Sequence, residues 1–250
     1  MPVDKTASNM YTDLIGEFKQ AGHDLTVITP SVNGKSYIGT ERGVSVLRVK
    51  CLPVLNVKSM IKKGLALALL PMFFKRAYNK HLKNSNFEWI FMPTPPITLI
   101  DFVSYLKVAT GAKFYLILRD IHPQSAASIG LIKYKFMFNY LERRAKNGYE
   151  LANLIGCMSK GNIDFIHDNY SLIEKKKLVL LKNWQKAEVY SKSNSDIRQK
   201  YGLCDKTIVL YGGNIGLGQK VEKKNICKKC PIKTIWTMLS LSITFRGQNT

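Results

Sequence analysis

Phe114-Tyr-Leu-Ile-Leu118 runs without a break into Arg119-Asp-Ile-His-Pro-Gln-Ser125. A short, wholly apolar run that ends in a polar, proline-containing turn reads as a strand buried on both faces, with a loop at its carboxyl end. Similar runs lie outward from it in both directions, at 25–29, 44–49, 88–92, 153–157 and 178–181. Between most of them the apolar residues switch to helical spacing. Met10, Leu14 and Phe18 mark a helix over 9–21 that Gly22 closes, and 98–109, 135–151 and 161–170 carry the same period. Strands alternating with helices predict an α/β chain, a Rossmann-like doubly wound parallel sheet covered on both faces. Such sheets bind ligands where the loops converge beyond the carboxyl ends of the strands, so the polar string after Leu118 is the first place to look.

The chain has 250 residues, 46% of them hydrophobic, which is enough to bury a sizeable core. Its formal charge of +21 favours anionic partners: nucleic acid, phospholipid headgroups or phosphate-bearing substrates. Five scattered cysteines, an odd number, and no signal peptide argue against a disulfide framework and for a cytoplasmic chain. The longest apolar run, 65–74, is about half of the roughly 20 residues that cross a bilayer, and Pro71 interrupts it. It sits, however, in a stretch from Lys58 to Lys83 that holds seven Lys and Arg residues and no acidic ones. That pattern reads either as a basic helix lying on an anionic membrane, through Lys62, Lys63, Lys75 and Arg76, or as a partly buried helix with a solvated basic face.

Near the end, Thr207-Ile-Val-Leu-Tyr211 enters Gly212-Gly-Asn-Ile-Gly-Leu-Gly218, a strand feeding a glycine-rich turn whose backbone N–H groups can approach a diphosphate. Beyond Val221 the pattern is lost, and 221–250 reads as an aberrant, poorly ordered tail. Cys227-Lys-Lys-Cys230 has the spacing of half a zinc site without a second pair, so no metal is assigned. His23, His81 and His167 have no visible partners in the sequence and are given no role.

The string Leu118-Arg-Asp-Ile-His-Pro-Gln-Ser125, with Gly130-Leu131 behind it, resembles family 4 glycosyltransferases of GT-B fold. Further pieces fall in that family's order: Gly22-His23 before a strand, Thr94-Pro-Pro96, Ser159-Lys-Gly161 opening a helix, Lys182-Asn-Trp184, and Tyr211-Gly-Gly-Asn-Ile-Gly216. The resemblance covers residues 1 to about 220. It implies an acceptor-side domain over 1–185 and a linker with the beginning of a donor-binding domain over 186–220. The implied activity is transfer of a hexose or acetamido sugar from a nucleotide-diphosphate sugar, with no cofactor, to a lipid-linked saccharide acceptor. The implied setting is O-antigen or capsule synthesis at the inner face of a bacterial membrane; amino-sugar transferases of the fucosamine type are the nearest kind.

On this resemblance Asp120 orients an acceptor hydroxyl, Arg119 meets a phosphate or steadies Asp120, and His122 donates to a sugar oxygen. Gly212, Gly213, Asn214, Gly216 and Asn183 would face the donor. A plainer reading has Asp120 capping the next turn and Arg119 paired with it. The family opens with a strand that here is missing before Met1-Pro-Val-Asp, and its donor-holding pair of glutamates, about seven residues apart, does not follow Gly216. The implied donor site is therefore incomplete and the chain inactive by itself, and the loss of pattern after Gly218 is what a frameshift or pseudogene fragment would produce. A different class of answer is a non-enzymatic basic protein that binds an anionic membrane surface or nucleic acid. Against nucleic acid, the basic residues are not interleaved with aromatics in any known module, and none is expected as a partner.

Overall fold

The computed structural model describes residues 9–31, 33–53, 59–185, 197–202, 204, 208–212 and 237–241. The chain divides into two units, Met1–Ala187 and Glu188–Thr250. The first begins with helix α1 (Met10–Gln20), capped reciprocally: Asn9 Oδ1 accepts from the Tyr11 and Thr12 amides at 2.9 and 3.0 Å, and Thr12 Oγ1 accepts from the Asn9 amide at 2.9 Å. Gly22, at φ +85°, then takes the left-handed conformation that ends the helix.

Strand β1 (Thr26–Pro30) pairs in parallel with β3 (Val44–Val49), which pairs antiparallel with β2 (Tyr37–Glu41). The sequence reading missed β2. Arg42 and Gly43, at φ 54° and 73°, form the two-residue turn whose twist suits a tight hairpin. Helix α2 (Met60–His81) crosses to β4 (Trp89–Thr94), running through Pro71. A single 3₁₀ turn (Ile97–Leu99) and α3 (Ile100–Thr110) lead to β5 (Lys113–Leu118), and the short α4 (Gln124–Ser128) and α5 (Lys135–Leu151) lead to β6 (Leu154–Cys157). Helix α6 (Lys160–Asn169) and a second 3₁₀ turn (Lys175–Lys177) return the chain to β7 (Leu178–Leu180).

Strands β4 to β7 form a four-stranded, all-parallel sheet in chain order, each crossover helical. This is a Rossmann-like α/β arrangement, as the alternation predicts. It differs from the expected single sheet in two respects. The antiparallel β2 makes the first sheet mixed, and among the described residues β1 and β4 each pair on one edge only, so the described strands of the first unit, β1 to β7, fall into two sheets.

The cores nevertheless join. One is built on Phe114, Leu116, Leu118 and Ile155 under Ala145, Tyr149 and Ile166; the other sets Leu47 and Val49 against Leu70, Phe74 and Tyr78 of α2 and Phe102 and Leu106 of α3. Ile90 and Leu99 pack against both. Close packing needs small residues at two points: a Cβ on Gly148 would come 2.6 Å from Ile100 Cδ1, and one on Gly156 would come 2.6 Å from the Tyr115 hydroxyl.

In the second unit the described elements are α7 (Ile197–Lys200) and the parallel pair β8 (Ile208–Gly212) and β9 (Thr237–Leu241). β9 thus gives regular structure to part of the segment read as an aberrant tail.

Candidate functional site

The register of the parallel sheet decides where the polar loops meet. Thr94 is opposite Leu118, Leu118 opposite Cys157, and Cys157 opposite Leu180, so four strands end level at one edge. Beyond that edge follow Pro95-Pro96, Arg119-Asp-Ile-His122, Ser159-Lys-Gly161 and Lys182-Asn-Trp184 in turn. Ser159 caps α6 there, its Oγ accepting from the Asn162 amide at 3.1 Å.

Arg119 and Asp120 are both exposed, and His122 is half-buried. The plainer reading of the pair is overturned: no ion pair joins Arg119 to Asp120 among the described residues, and the N-cap of α4 is Pro123 without a side-chain cap. Arg119 turns instead to α1. Its guanidinium lies 5.9 Å from the Tyr11 ring centroid, with a loose 3.5 Å contact to the Tyr11 hydroxyl. Tyr11 in turn meets Trp184 edge to face at 6.4 Å, and Trp184 Nε1 donates to the Met10 carbonyl at 2.6 Å. Residues 174 positions apart are thereby tied together beside the turn. Trp184 is a packing residue here, while its neighbour Asn183 is exposed.

Asp120 makes no side-chain hydrogen bond among the described residues, which leaves its carboxylate open to a ligand. Burial pushes the His122 imidazole below its ordinary value of 6.5, and the nearby Asp120 charge opposes but does not cancel that effect. His122 is accordingly a neutral ring at pH 7, able to donate from one nitrogen and accept at the other.

The turn is held from below by Gln124. Its Nε2 donates to the Tyr170 hydroxyl at 3.0 Å and to Glu142 Oε1 at 3.3 Å, tying α4 to α5 and to the end of α6. Tyr170 packs edge to face on Tyr149 at 5.0 Å. Gln124 Oε1 and the Tyr149 hydroxyl are buried without protein partners, and burial drives the Tyr149 phenol far above its usual range. The sequence reading missed this support and the part played by Tyr11, since neither has a local signature. A groove of about 370 Å³ along α5 and 169–173 contains Glu142 and Tyr170 but none of Arg119, Asp120 or His122.

The basic helix is partly buried, as one of its two readings held. Ala66, Leu70, Phe74, Ala77 and Tyr78 face the core, while Lys62, Lys63, Lys75 and Arg76 are exposed; Lys75 lies 4.1 Å from the Tyr105 ring centroid. No helix among the described residues is long and apolar enough to cross a membrane. No cluster of metal-ligating side chains occurs among them either, and Cys227 and Cys230 lie outside them. Gly212 ends β8; Gly213, Asn214 and Gly216 lie outside the described residues. No protein-family model matches the chain, and no curated protein matches it.

Proposed function

We propose that this chain is the acceptor-side part of a GT-B glycosyltransferase of family 4 type, seated on an anionic membrane and binding a lipid-linked saccharide that receives a sugar from a nucleotide-diphosphate donor. The observation that carries the reading is the exposed, unpartnered carboxylate of Asp120, next to the neutral imidazole of His122, at the carboxyl edge of a parallel sheet.

Glycosyl transfer requires an acceptor hydroxyl held in a fixed direction, because orientation removes much of the entropic part of the barrier. Asp120 accepts a hydrogen bond from that hydroxyl. His122 donates to a neighbouring sugar oxygen at no charge cost. Arg119, held by the Tyr11 ring, meets a phosphate of the lipid diphosphate. The exposed basic face of α2 adds attraction to anionic headgroups. The Gly212–Gly216 turn is assigned to the donor diphosphate on the sequence resemblance.

The test is binding of a polyprenyl-diphosphate-linked N-acetylhexosamine in detergent micelles, followed by tryptophan fluorescence in a Trp89→Phe, Trp236→Phe background, which leaves Trp184, whose ring packs on Tyr11, as the one emitter. Asp120→Asn is expected to weaken binding about tenfold or more, since it removes a charged hydrogen-bond acceptor. Equal affinity of wild type, Asp120→Asn and Arg119→Ala would overturn the reading. A panel of radiolabelled nucleotide sugars then shows whether the chain turns the acceptor over.

A further inference from the structure

The start of α5 and the loop before it present exposed apolar side chains, of which Tyr140 carries the Arg144 guanidinium 4.6 Å from its ring centroid while the others lie outside the core. The face of α5 turned to the core is formed by Leu141, Ala145, Gly148 and Tyr149. Before and beside that packed stretch, Leu131, Tyr134, Phe136, Met137 and Tyr140 are 50%, 61%, 71%, 39% and 44% exposed, and the rings of Tyr134 and Phe136 stack at 5.7 Å. Exposed apolar residues are ordinary singly, but five within ten positions form a patch that asks for a covering. Lys133 and Lys135, both exposed, interleave with them, and no acidic residue stands between Asp120 and Glu142.

We propose that the segment 131–140 is an interfacial membrane anchor: Tyr134, Phe136 and Met137 enter the headgroup–acyl boundary of an anionic bilayer while Lys133 and Lys135 meet the lipid phosphates. Three observations favour this occupant. Aromatic rings beside lysines are the composition that settles at the headgroup level, apolar body inward and charge outward. A second copy of the chain across a two-fold axis would set these lysines against their own copies, on a molecule of charge +21, whereas an anionic bilayer supplies the opposite charge. The topology also places the segment usefully. It follows the Arg119–His122 turn and α4 at the carboxyl edge, while α5 ends at Leu151, just before β6 begins. The patch and Asp120 therefore share one edge of the sheet, so a bilayer here lies beside the acceptor site.

The inference rests on the membrane-seating part of the proposed function and extends it from the charge of α2 to apolar insertion by α5. The test is co-sedimentation of the full chain with vesicles of phosphatidylcholine, with and without phosphatidylglycerol. It compares wild type, Tyr134→Ser with Phe136→Gln, and Lys75→Ala with Arg76→Ala. Tyr134 is the N-cap of α5 and makes no side-chain cap bond, so serine there favours the helix start and the melting temperature of the first variant is expected to hold.

Wild type is expected to bind the anionic vesicles and to keep part of that binding in high salt, because apolar insertion is not screened. The Tyr134/Phe136 variant should lose about tenfold or more in partitioning, the worth of withdrawing two aromatic side chains from lipid. Three results would overturn the proposal: equal partitioning of that variant and wild type; a wild-type dimer that the variant makes monomeric; or tight, salt-sensitive binding of single-stranded DNA with none to vesicles. No sugar enters the readout, so failure of the Asp120 reading leaves this result standing, and acceptor binding in micelles tests Asp120 without a bilayer.

Discussion

Two polar residues separated by Ile121 show how differently burial acts within one turn. Asp120 stays in solvent, but His122 sits deep enough that its protonated form is disfavoured. A histidine whose folded pKa lies below its unfolded value stabilises the fold fully above pH 6.5, and that contribution is lost as pH falls through the lower folded value. Urea unfolding across this range should therefore show stability falling with acidification, and His122→Gln should flatten the slope in the window just below pH 6.5. A slope unchanged by the substitution would mean that the ring titrates as it does in the unfolded chain.

At the scale of elements, an ion pair spans the β2–β3 hairpin beside its backbone ladder. Arg48 is buried, its Nε and Nη2 donating to the two carboxylate oxygens of Glu41 at 2.8 and 2.5 Å, and this bond holds the Glu41 carboxyl below its usual value of 4.5. Arg48 Nη1 also reaches the Pro30 carboxyl-side backbone oxygen at 3.4 Å, so the pair braces β1 as well. Glu41→Gln leaves the guanidinium buried with a weaker acceptor and should cost about 2 kcal/mol, read from chemical denaturation at pH 7. The loss should shrink toward acid, where wild-type Glu41 itself becomes protonated. The same hairpin shows where sequence reading ran short. Helix α5 was legible to the residue because its period is long and strong, and α1 because Met10, Leu14 and Phe18 mark one face and Gly22 stops it; α6 is read one residue late, over 161–170, and the caps at Asn9 and Ser159 come from the structure. Strand β2 was not, because its turn is Arg42-Gly43 rather than a common hairpin dipeptide and its five residues alternate weakly. The Arg119, Asp120 and His122 string was legible as a strand-end turn. Its props were not, because Tyr11, Trp184, Glu142 and Tyr170 reach it only through tertiary packing.

For the whole molecule, charge and sheet order set different limits. A formal +21 makes every long-range encounter favour anions, while the level ends of β4 to β7 bring four polar loops together at one edge of the four-stranded sheet. Within the first unit a single hydrogen bond also ties together residues near the two limits of its described part. Trp184 grips the carbonyl of Met10, so the first described helix and the last described strand loop of that unit are neighbours in space. Residues 10 and 184 in contact make 9–185 a stretch open to rearrangement: residues 9 and 185 can be joined by a short linker and the chain reopened in the turn at Lys83 and Asn84, both exposed, with little strain on the strands.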